Sequence, residues 1–304
     1  MVESVHITNV ITGQEISIDK SGTNIDNSTN EIKNNLFILD TVDWDAPVIN
    51  FEKYKIPFQK GETLKSCDIG TRKPTIIGYV VANITDNILG KTWEQYYQEQ
   101  LTQIDNTKEL LNKVVNVLED VTIVADGYKL LARPSSPPKY SINENENNKV
   151  LCMFSLEFEC FDPMFYIEKY AIMQNTSTST SVSVSNEGDI ESDLEIKISL
   201  LQGGVALYNF GIKNNTTGEL LQFASNLLLN PNDYLLIKTE NGKEEVTWWD
   251  NSEGVFKNAI GYLTDNSKFF KLKKGTNVLA KIGTASYQKV EINFKDKFFG
   301  FKGM

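Results

Sequence analysis

Two glutamates, Glu157 and Glu159, stand two residues apart in the run LCMFSLEFECFDPMFY, residues 151–166. On a strand they share one face, about 6.6 Å apart by rise, within the range of the paired carboxylates that cleave glycosides. Such pairs are common on strands, so an exposed acidic face or a subunit contact is the favoured reading. Asp189, Glu191 and Asp193 alternate as oxygen ligands for calcium could, but the Asp-x-Asp-x-Asp-Gly order of a calcium loop is absent and a polar loop accounts for them. Trp248 and Trp249 are neighbours, and on a strand one ring faces in and the other out. An outward tryptophan can stack on a sugar ring or bury itself at a protein interface; interface or core is favoured.

Other chemistry is sparse. A single histidine, His6, removes multi-histidine metal sites and leaves few nucleophile–histidine pairs. The two arginines, Arg72 and Arg133, exclude clusters of bidentate phosphate forks. Of the three cysteines, Cys67, Cys152 and Cys160, the last two share a strand face but lie about 26 Å apart by strand rise, too far to bridge. All three are expected as small core residues. No glycine-rich phosphate loop, Cys-x-x-Cys, His-Glu-x-x-His or Gly-x-Ser-x-Gly elbow is found. The expectation is therefore no catalytic set, no metal site and no cofactor.

The elements that would carry these residues are mostly strands. In residues 151–161, Cys152, Phe154, Leu156, Phe158 and Cys160 alternate with Met153, Ser155, Glu157 and Glu159, the pattern of a half-buried strand about 36 Å long. Asp162-Pro163 ends it, because proline cannot donate to a ladder. Upstream, residues 6–19 read as a hairpin over Thr12-Gly13, 20–34 as a mobile polar loop, 36–42 as a strand and 43–61 as an ordered extended arm whose aromatics need burial. Residues 72–84 read as a strand. The helical region runs near 92–118, capped by Thr92, with a break near 105–107 and its apolar stripe, Trp93 included, laid on a sheet. A hairpin follows over Asp126-Gly127, then a stiff Pro134–Pro138 bend and an Asn/Glu-rich loop at 143–149. Past residue 176 short strands alternate with turns, at 194–200, 205–212, 234–238, 244–248, 278–282 and 290–294, which suggests a β-sandwich or jelly roll. The class expected is mainly β with one helical region (α+β), divided as 1–169 and 170–304, with Asp162 and Pro163 marking the junction.

The chain of 304 residues is long enough for two domains, and its hydrophobic content of 40% and charged content of 23% are those of a globular protein. Residues 1–169 carry 16 basic and 25 acidic side chains, 170–240 carry 3 and 8, and 241–304 carry 11 and 7. An acidic first half argues against tight nucleic-acid binding, which needs cations to displace counterions. No apolar run is long enough to cross a membrane as a helix, and the first ten residues lack the pattern of a secretion signal.

The order of segments resembles the distal tail protein family of phage tails, the siphophage tail component. In that family an arginine-led strand, a helix and a hairpin precede a long strand ending in Asp-Pro and aromatics; here Arg72, Asp162, Pro163, Phe165 and Tyr166 hold those places. In SNEGDIESDLEIKI, Asn186, Gly188 and Asp189 match the family's Asn-x-Gly-Asp opening of its second domain. NPNDYLLIKTENGKEEV resembles its strand–Asn-Gly–strand hairpin, and FFKLKKGTNVLAKI, with Leu272, Gly275 and Asn277, the run before its last strands. The resemblance is collinear over nearly the whole chain. The loop at 20–34 and the segment around 86–107 depart from it.

The resemblance implies a virion structural protein of the tail tip or baseplate, made in the host cytoplasm. Its first domain would build a homohexameric ring with an open channel, and its second would be an outward, galectin-like or carbohydrate-module-like sandwich. Implied partners are the tail tube protein, the tail hub or tail-associated lysin, the tape-measure protein and receptor-binding proteins, with DNA passing through and no membrane insertion. An acidic first domain suits a conduit that must not grip DNA. Two alternatives stand beside this: a carbohydrate-binding adhesion module using Trp248 or Trp249, and a glycan-cleaving enzyme using Glu157 and Glu159.

Overall fold

Alternation of side chains across the pleat decides most of what is seen. The structure, a computed structural model, describes residues 2–20, 23–26, 31–34, 37–54, 63–82, 90–142, 151–174, 181–200, 207–283 and 288–300. The chain divides into two compact units, Met1–Phe165 with the stretch from Phe299, and Tyr166–Phe298.

In the first unit, β1 (Ser4–Asn9) and β2 (Glu15–Asp19) form the expected hairpin, with Gly13 at a φ of 68°. The segment read as a mobile loop contains a small hairpin, β3 (Thr23–Asp26) paired with β4 (Glu31–Asn34). Next come β5 (Phe37–Asp43), then β6 (Ile49–Tyr54) paired with β7 (Thr63–Ile69) as a separate two-stranded sheet, and β8 (Thr75–Val81). After the helix α1 (Trp93–Val114) follow β9 (Val121–Ala125), β10 (Tyr128–Pro134), β11 (Lys139–Ile142) and β12 (Leu151–Glu159). The β9–β10 turn places Asp126 at φ 50° and Gly127 at φ 81°, the left-handed pair that Asp-Gly signals. The loop expected at 143–149 lies outside the described residues.

Strands β12-β8-β5-β2-β1-β9-β10 lie side by side in that order, and β12 pairs again with β10, closing a seven-stranded barrel. Two seams are thin. β2 meets β5 in parallel at Asp19↔Ile38, and β10 meets β12 at Arg133↔Glu159 and Pro134↔Phe158. Cys152, Phe154, Leu156, Phe158 and Cys160 are all buried, as the alternation of β12 requires. Phe154 meets Phe37 edge to face at 6.0 Å and lies over Gly78 of β8, where an added Cβ would come within 2.7 Å of its ring and 2.5 Å of the Ile38 carbonyl oxygen. Glycine is required there by close approach.

Thr92 caps α1 in a capping box with Gln95, as the sequence indicates. The break expected near 105–107 is absent: the Thr107 hydroxyl donates to the Gln103 carbonyl at 2.8 Å, satisfied inside the helix rather than starting a new one. The buried stripe is Ile104, Leu111 and Val114, packed on β8, β1 and β2. Trp93, expected in that stripe, is 80% exposed, because the first turn runs ahead of the sheet contact.

The second unit holds β13 (Phe165–Gln174, from Tyr166 onward), β14 (Ser181–Asn186), β15 (Leu194–Leu200), β16 (Gly211–Asn214) and β17 (Leu220–Gln222). β18 (Tyr234–Lys238), β19 (Glu245–Asp250), β20 (Val255–Asn258), β21 (Gly275–Ile282) and β22 (Gln288–Phe298) complete it. One sheet runs β13-β22-β15-β18-β19-β20 and the other β14-β21-β16-β17. Ile196, Ile237 and Ile292 of the first join Ile212, Leu221 and Leu279 of the second in one buried core, the arrangement of a sandwich. Of the strand expected at 205–212, residues 205–206 lie outside the described residues, and from 207 on the ladder run begins at Gly211, whose Cβ position would lie 2.1 Å from the Leu221 carbonyl oxygen. With 54% strand and one α-helix among the described residues, the protein is mainly β, as expected.

Replacing Gly78 by alanine is expected to cost about 1–3 kcal/mol through overpacking against Phe154. Urea denaturation should show it as a lower midpoint at unchanged slope; an unchanged midpoint would contradict the close approach.

Candidate functional site

The paired carboxylates are each engaged by a lysine. Glu157 accepts hydrogen bonds from Lys139 Nζ and, at 3.4 Å, from Ser136 Oγ, and the Lys139 contact lowers its pKa. Glu159 faces Lys73 Nζ at 3.7 Å. A general acid needs a raised pKa, the opposite of what Lys139 does to Glu157. Asp189 meets Lys274 at 3.4 Å, and Asp193 meets Lys271 at 2.7 Å and Lys297 at 3.4 Å, so lysines take the place a cation would fill. Among the described residues no group of three or more His, Cys, Asp or Glu could hold a metal, and no helix is long and apolar enough to cross a membrane. Cys152 and Cys160 are buried thiols, and burial pushes Cys160 up to about 12, far from a reactive thiolate at neutral pH. His6 is an exposed residue of β1.

The junction residues gather around one buried side chain, Arg72. An isolated bridge, with Arg72 N–H to the Cys160 carbonyl at 3.3 Å and Cys160 N–H to the Arg72 carbonyl at 2.8 Å, sets its backbone beside the end of β12. Its guanidinium donates from Nε to the Pro163 carbonyl at 2.9 Å, from Nη1 to the Trp44 carbonyl at 3.4 Å and from Nη2 to the Phe299 carbonyl. The guanidinium carbon lies 4.3 Å from the Phe165 ring centroid, and Trp44 meets the same ring edge-on at 5.4 Å. Arg72 is only 2% exposed, and burial lowers its pKa from the ordinary value. Asp162 accepts the Met164 N–H at 3.3 Å, turning the chain so that Pro163, Met164 and Phe165 all become buried. Arg72 thus holds the last residues before the chain enters the second unit and the first residue after it returns. The sequence pointed to Arg72, Asp162, Pro163 and Phe165, but not to Trp44 or Phe299, which join them through backbone carbonyls that carry no sequence signal.

The tryptophan pair splits as alternation requires. Trp248 packs against the sandwich core with Lys257 Nζ 5.1 Å from its ring centroid. Trp249 turns the other way. The register Tyr234↔Trp249↔Phe256 runs straight across β18, β19 and β20 and sets three rings together. Trp249 lies 6.2 Å from Tyr234 and 4.9 Å from Phe256, centroid to centroid, and Lys197 Nζ covers Tyr234 at 4.3 Å. Phe256 is 54% exposed.

The other motif residues hold turns of the second unit. Asn186, fully buried, donates to the Ile190 carbonyl at 2.9 Å and the Leu272 carbonyl at 3.1 Å while accepting the Gly188 N–H at 2.9 Å. A Cβ on Gly188 would lie 2.6 Å from the Lys297 carbonyl oxygen. Asn277 donates to the Lys273 and Gly275 carbonyls at 2.7 and 3.0 Å, closing the turn in which Gly275 has a φ of 91°. Asp296, wholly buried, accepts from Lys169 Nζ at 2.7 Å and from the Glu187 N–H at 3.1 Å, and so fastens the same turn to β22.

No protein-family model matches the chain, and no curated protein matches it in sequence. Among solved structures it is similar to the SPP1 Dit (gp 19.1) protein, described as a paradigm of the hub adsorption apparatus in phages infecting Gram-positive bacteria. That match has a TM-score of 0.61 and 16% identity over 97% of this chain and 99% of the other. Chains of the phage P2 baseplate in its activated conformation, with Ca and with Sr, align over 96% of this chain and 98% of theirs, with TM-scores of 0.48 and 0.47 and identities of 9% and 10%. The chain shares its fold, over both units, with SPP1 Dit.

Changing Arg72 to methionine is expected to destabilise the protein by about 3–5 kcal/mol, because three carbonyls, two of them in buried bonds, lose a charged donor. Lysine should not rescue it, since an ammonium cannot reach three carbonyls in the plane of one fork. Equilibrium denaturation of both variants measures this; wild-type stability in either would remove Arg72 from its central place.

Proposed function

We propose, from the fold shared with SPP1 Dit, that this chain is a structural protein of a phage tail tip. In this reading copies assemble into a closed ring, hexameric, at the distal end of the tail tube. The ring joins the tube protein to the tail hub or tail-associated lysin, neighbours the tape-measure and receptor-binding proteins, and lets DNA pass. The first unit builds the ring and the second lies at its periphery, with Asp162 and Pro163 at the hand-over. The protein is a virion component and not an enzyme. The observation that carries this is the collinear match over 97% of the chain and 99% of SPP1 Dit. The balance of 16 basic against 25 acidic side chains in residues 1–169 supports it, since a conduit must repel rather than hold a polyanion.

A second reading has its own observation. The Tyr234, Trp249 and Phe256 rings form a platform with an exposed edge, the kind of surface on which sugar rings stack. It makes the second unit a carbohydrate-binding adhesion module, compatible with a place on a tail.

Electron microscopy of the purified protein is expected to show closed rings, and light scattering a mass near six times that of the chain, because a heterologous contact repeated by rotation closes on itself. Open filaments or a persistent monomer would count against the ring. For the second reading, host cell-wall polysaccharide should bind the protein and lose it at least about tenfold with Trp249→Ala; wild-type protein that binds no glycan would end that reading.

A further inference from the structure

Two long polar side chains point into the sandwich of the second unit and find no acceptor there. Lys281 of β21 stands opposite Ile212, and Leu279, two positions earlier, opposite Asn214. Ile212 and Leu279 belong to the core, so alternation puts Lys281 on the inner face of its sheet. Gln288 of β22 stands opposite Leu200 and alternates with Val290 and Ile292. Those three belong to the same core, which puts Gln288 on the inner face of the other sheet. β21 ends at Ile282 and β22 begins at Gln288, so both side chains belong to the same end of the sandwich. Packed sheets lie about 10 Å apart, a gap that two long side chains span from opposite sides.

Lys281 Nζ and Gln288 Nε2 are both buried, and neither has a hydrogen-bond partner among the described residues. Gln288 is only 1% exposed. Burial lowers the Lys281 pKa, and no neighbouring carboxylate offsets it. A dry ammonium or amide N–H without an acceptor costs more than a hydrogen bond gains. Asn186 and Asn277, equally deep in the same unit, donate to backbone carbonyls. Lys281 and Gln288 depart from that pattern together, at one place.

We propose that this end of the sandwich is a binding site for a small monocarboxylate, held by Lys281 and Gln288. One lysine supplies one positive charge, which neutralises a monoanion but not a phosphate dianion. Two donors suit the two oxygens of one carboxylate. Ile212 beside Lys281 and Leu200 beside Gln288 offer aliphatic walls to the rest of the ligand, the usual mixture of an apolar lining and a few placed polar groups. The carboxylate can belong to a free short acid, such as propionate, or to an acidic sugar, such as glucuronate. The site is distinct from the Trp249 platform, whose rings turn outward, and does not depend on the ring.

Thermal unfolding of the full chain at constant pH and ionic strength tests it, with propionate, glucuronate or chloride added, for wild type, Lys281→Met and Gln288→Leu. The wild-type midpoint is expected to rise and saturate with a carboxylate and to stay put with chloride. Methionine nearly fills the lysine's shape and removes the unpaired charge, so Lys281→Met is expected to fold and to lose the rise. Gln288→Leu is expected to weaken binding at least about tenfold. In wild type the Lys281 Cε carbon signal should shift with the same half-saturation, a reading that stands even if a variant misfolds. The carboxylate that binds more tightly names the source, a free acid or a sugar. No saturable rise with either up to about 100 mM, a rise without a shift of the Lys281 signal, or an equal rise in Lys281→Met would each overturn the site.

Discussion

A guanidinium buried among backbone carbonyls organises the first unit. Arg72 reaches Trp44, Pro163 and Phe299, segments separated by tens to hundreds of residues, and rests on Phe165. Carbonyl oxygens at the ends of elements have no ladder partner, and leaving them dry and unpaired would cost more than a hydrogen bond gains. One planar fork with donors fixed in several directions satisfies three of them, which a lysine cannot do. The charge is tolerable because carbonyl dipoles and an aromatic face surround it, in place of water. Closing so long a loop costs only logarithmically with length, so a few well-aimed bonds suffice to bring residue 299 back to residue 72.

Around this point the barrel is less uniform than its closure suggests. Its two thin seams mean that it is two small sheets joined at both edges, and the strength lies within each sheet. Packing, rather than edge pairing, must hold the sheets together, and hence the inward set on β12 is large and unbroken: Cys152, Phe154, Leu156, Phe158 and Cys160. Gly78 is the counterpart of that crowding, a missing side chain where Phe154 needs room. The second unit solves a different problem. Its strands are short, so turns carry the precision, and Asn186, Gly188, Asn277 and Asp296 bind main chain to main chain at places where apolar packing could not choose a register.

The same distinction explains what could be read from the sequence. Strand β12 was legible in full because alternation over nine residues has one interpretation, and the Asp126-Gly127 and Asn241-Gly242 turns because few other residues accept φ above zero. β14 was not expected, since Ser181, Ser183 and Ser185 look like loop composition; they face outward on a strand whose ladder, not its side chains, defines it. The strand placed at 205–212 was shifted because Leu207 and Phe210 are buried without lying in a ladder run. Trp93 was assigned to the core because aromatics usually seek it, but the helix begins beyond the surface it packs on. Of the junction, the side chains were visible and their carbonyl partners were not. Of the tryptophan pair, alternation foretold the split, while the ladder of Tyr234, Trp249 and Phe256 depends on register between strands that no local pattern specifies.

The proposed passage of DNA has to be set against how the barrel is filled. Seven strands enclose a space that side chains fill, and the inward residues of β12, β8 and β9 are buried almost completely, with Phe154, Ile76 and Val121 wholly so. Nothing passes through one copy. In the proposed ring the channel therefore lies between copies and not through one. Residues 1–165 are acidic on balance, with 15 basic and 24 acidic side chains. In the proposed ring that balance lets a polyanion slide past without being held.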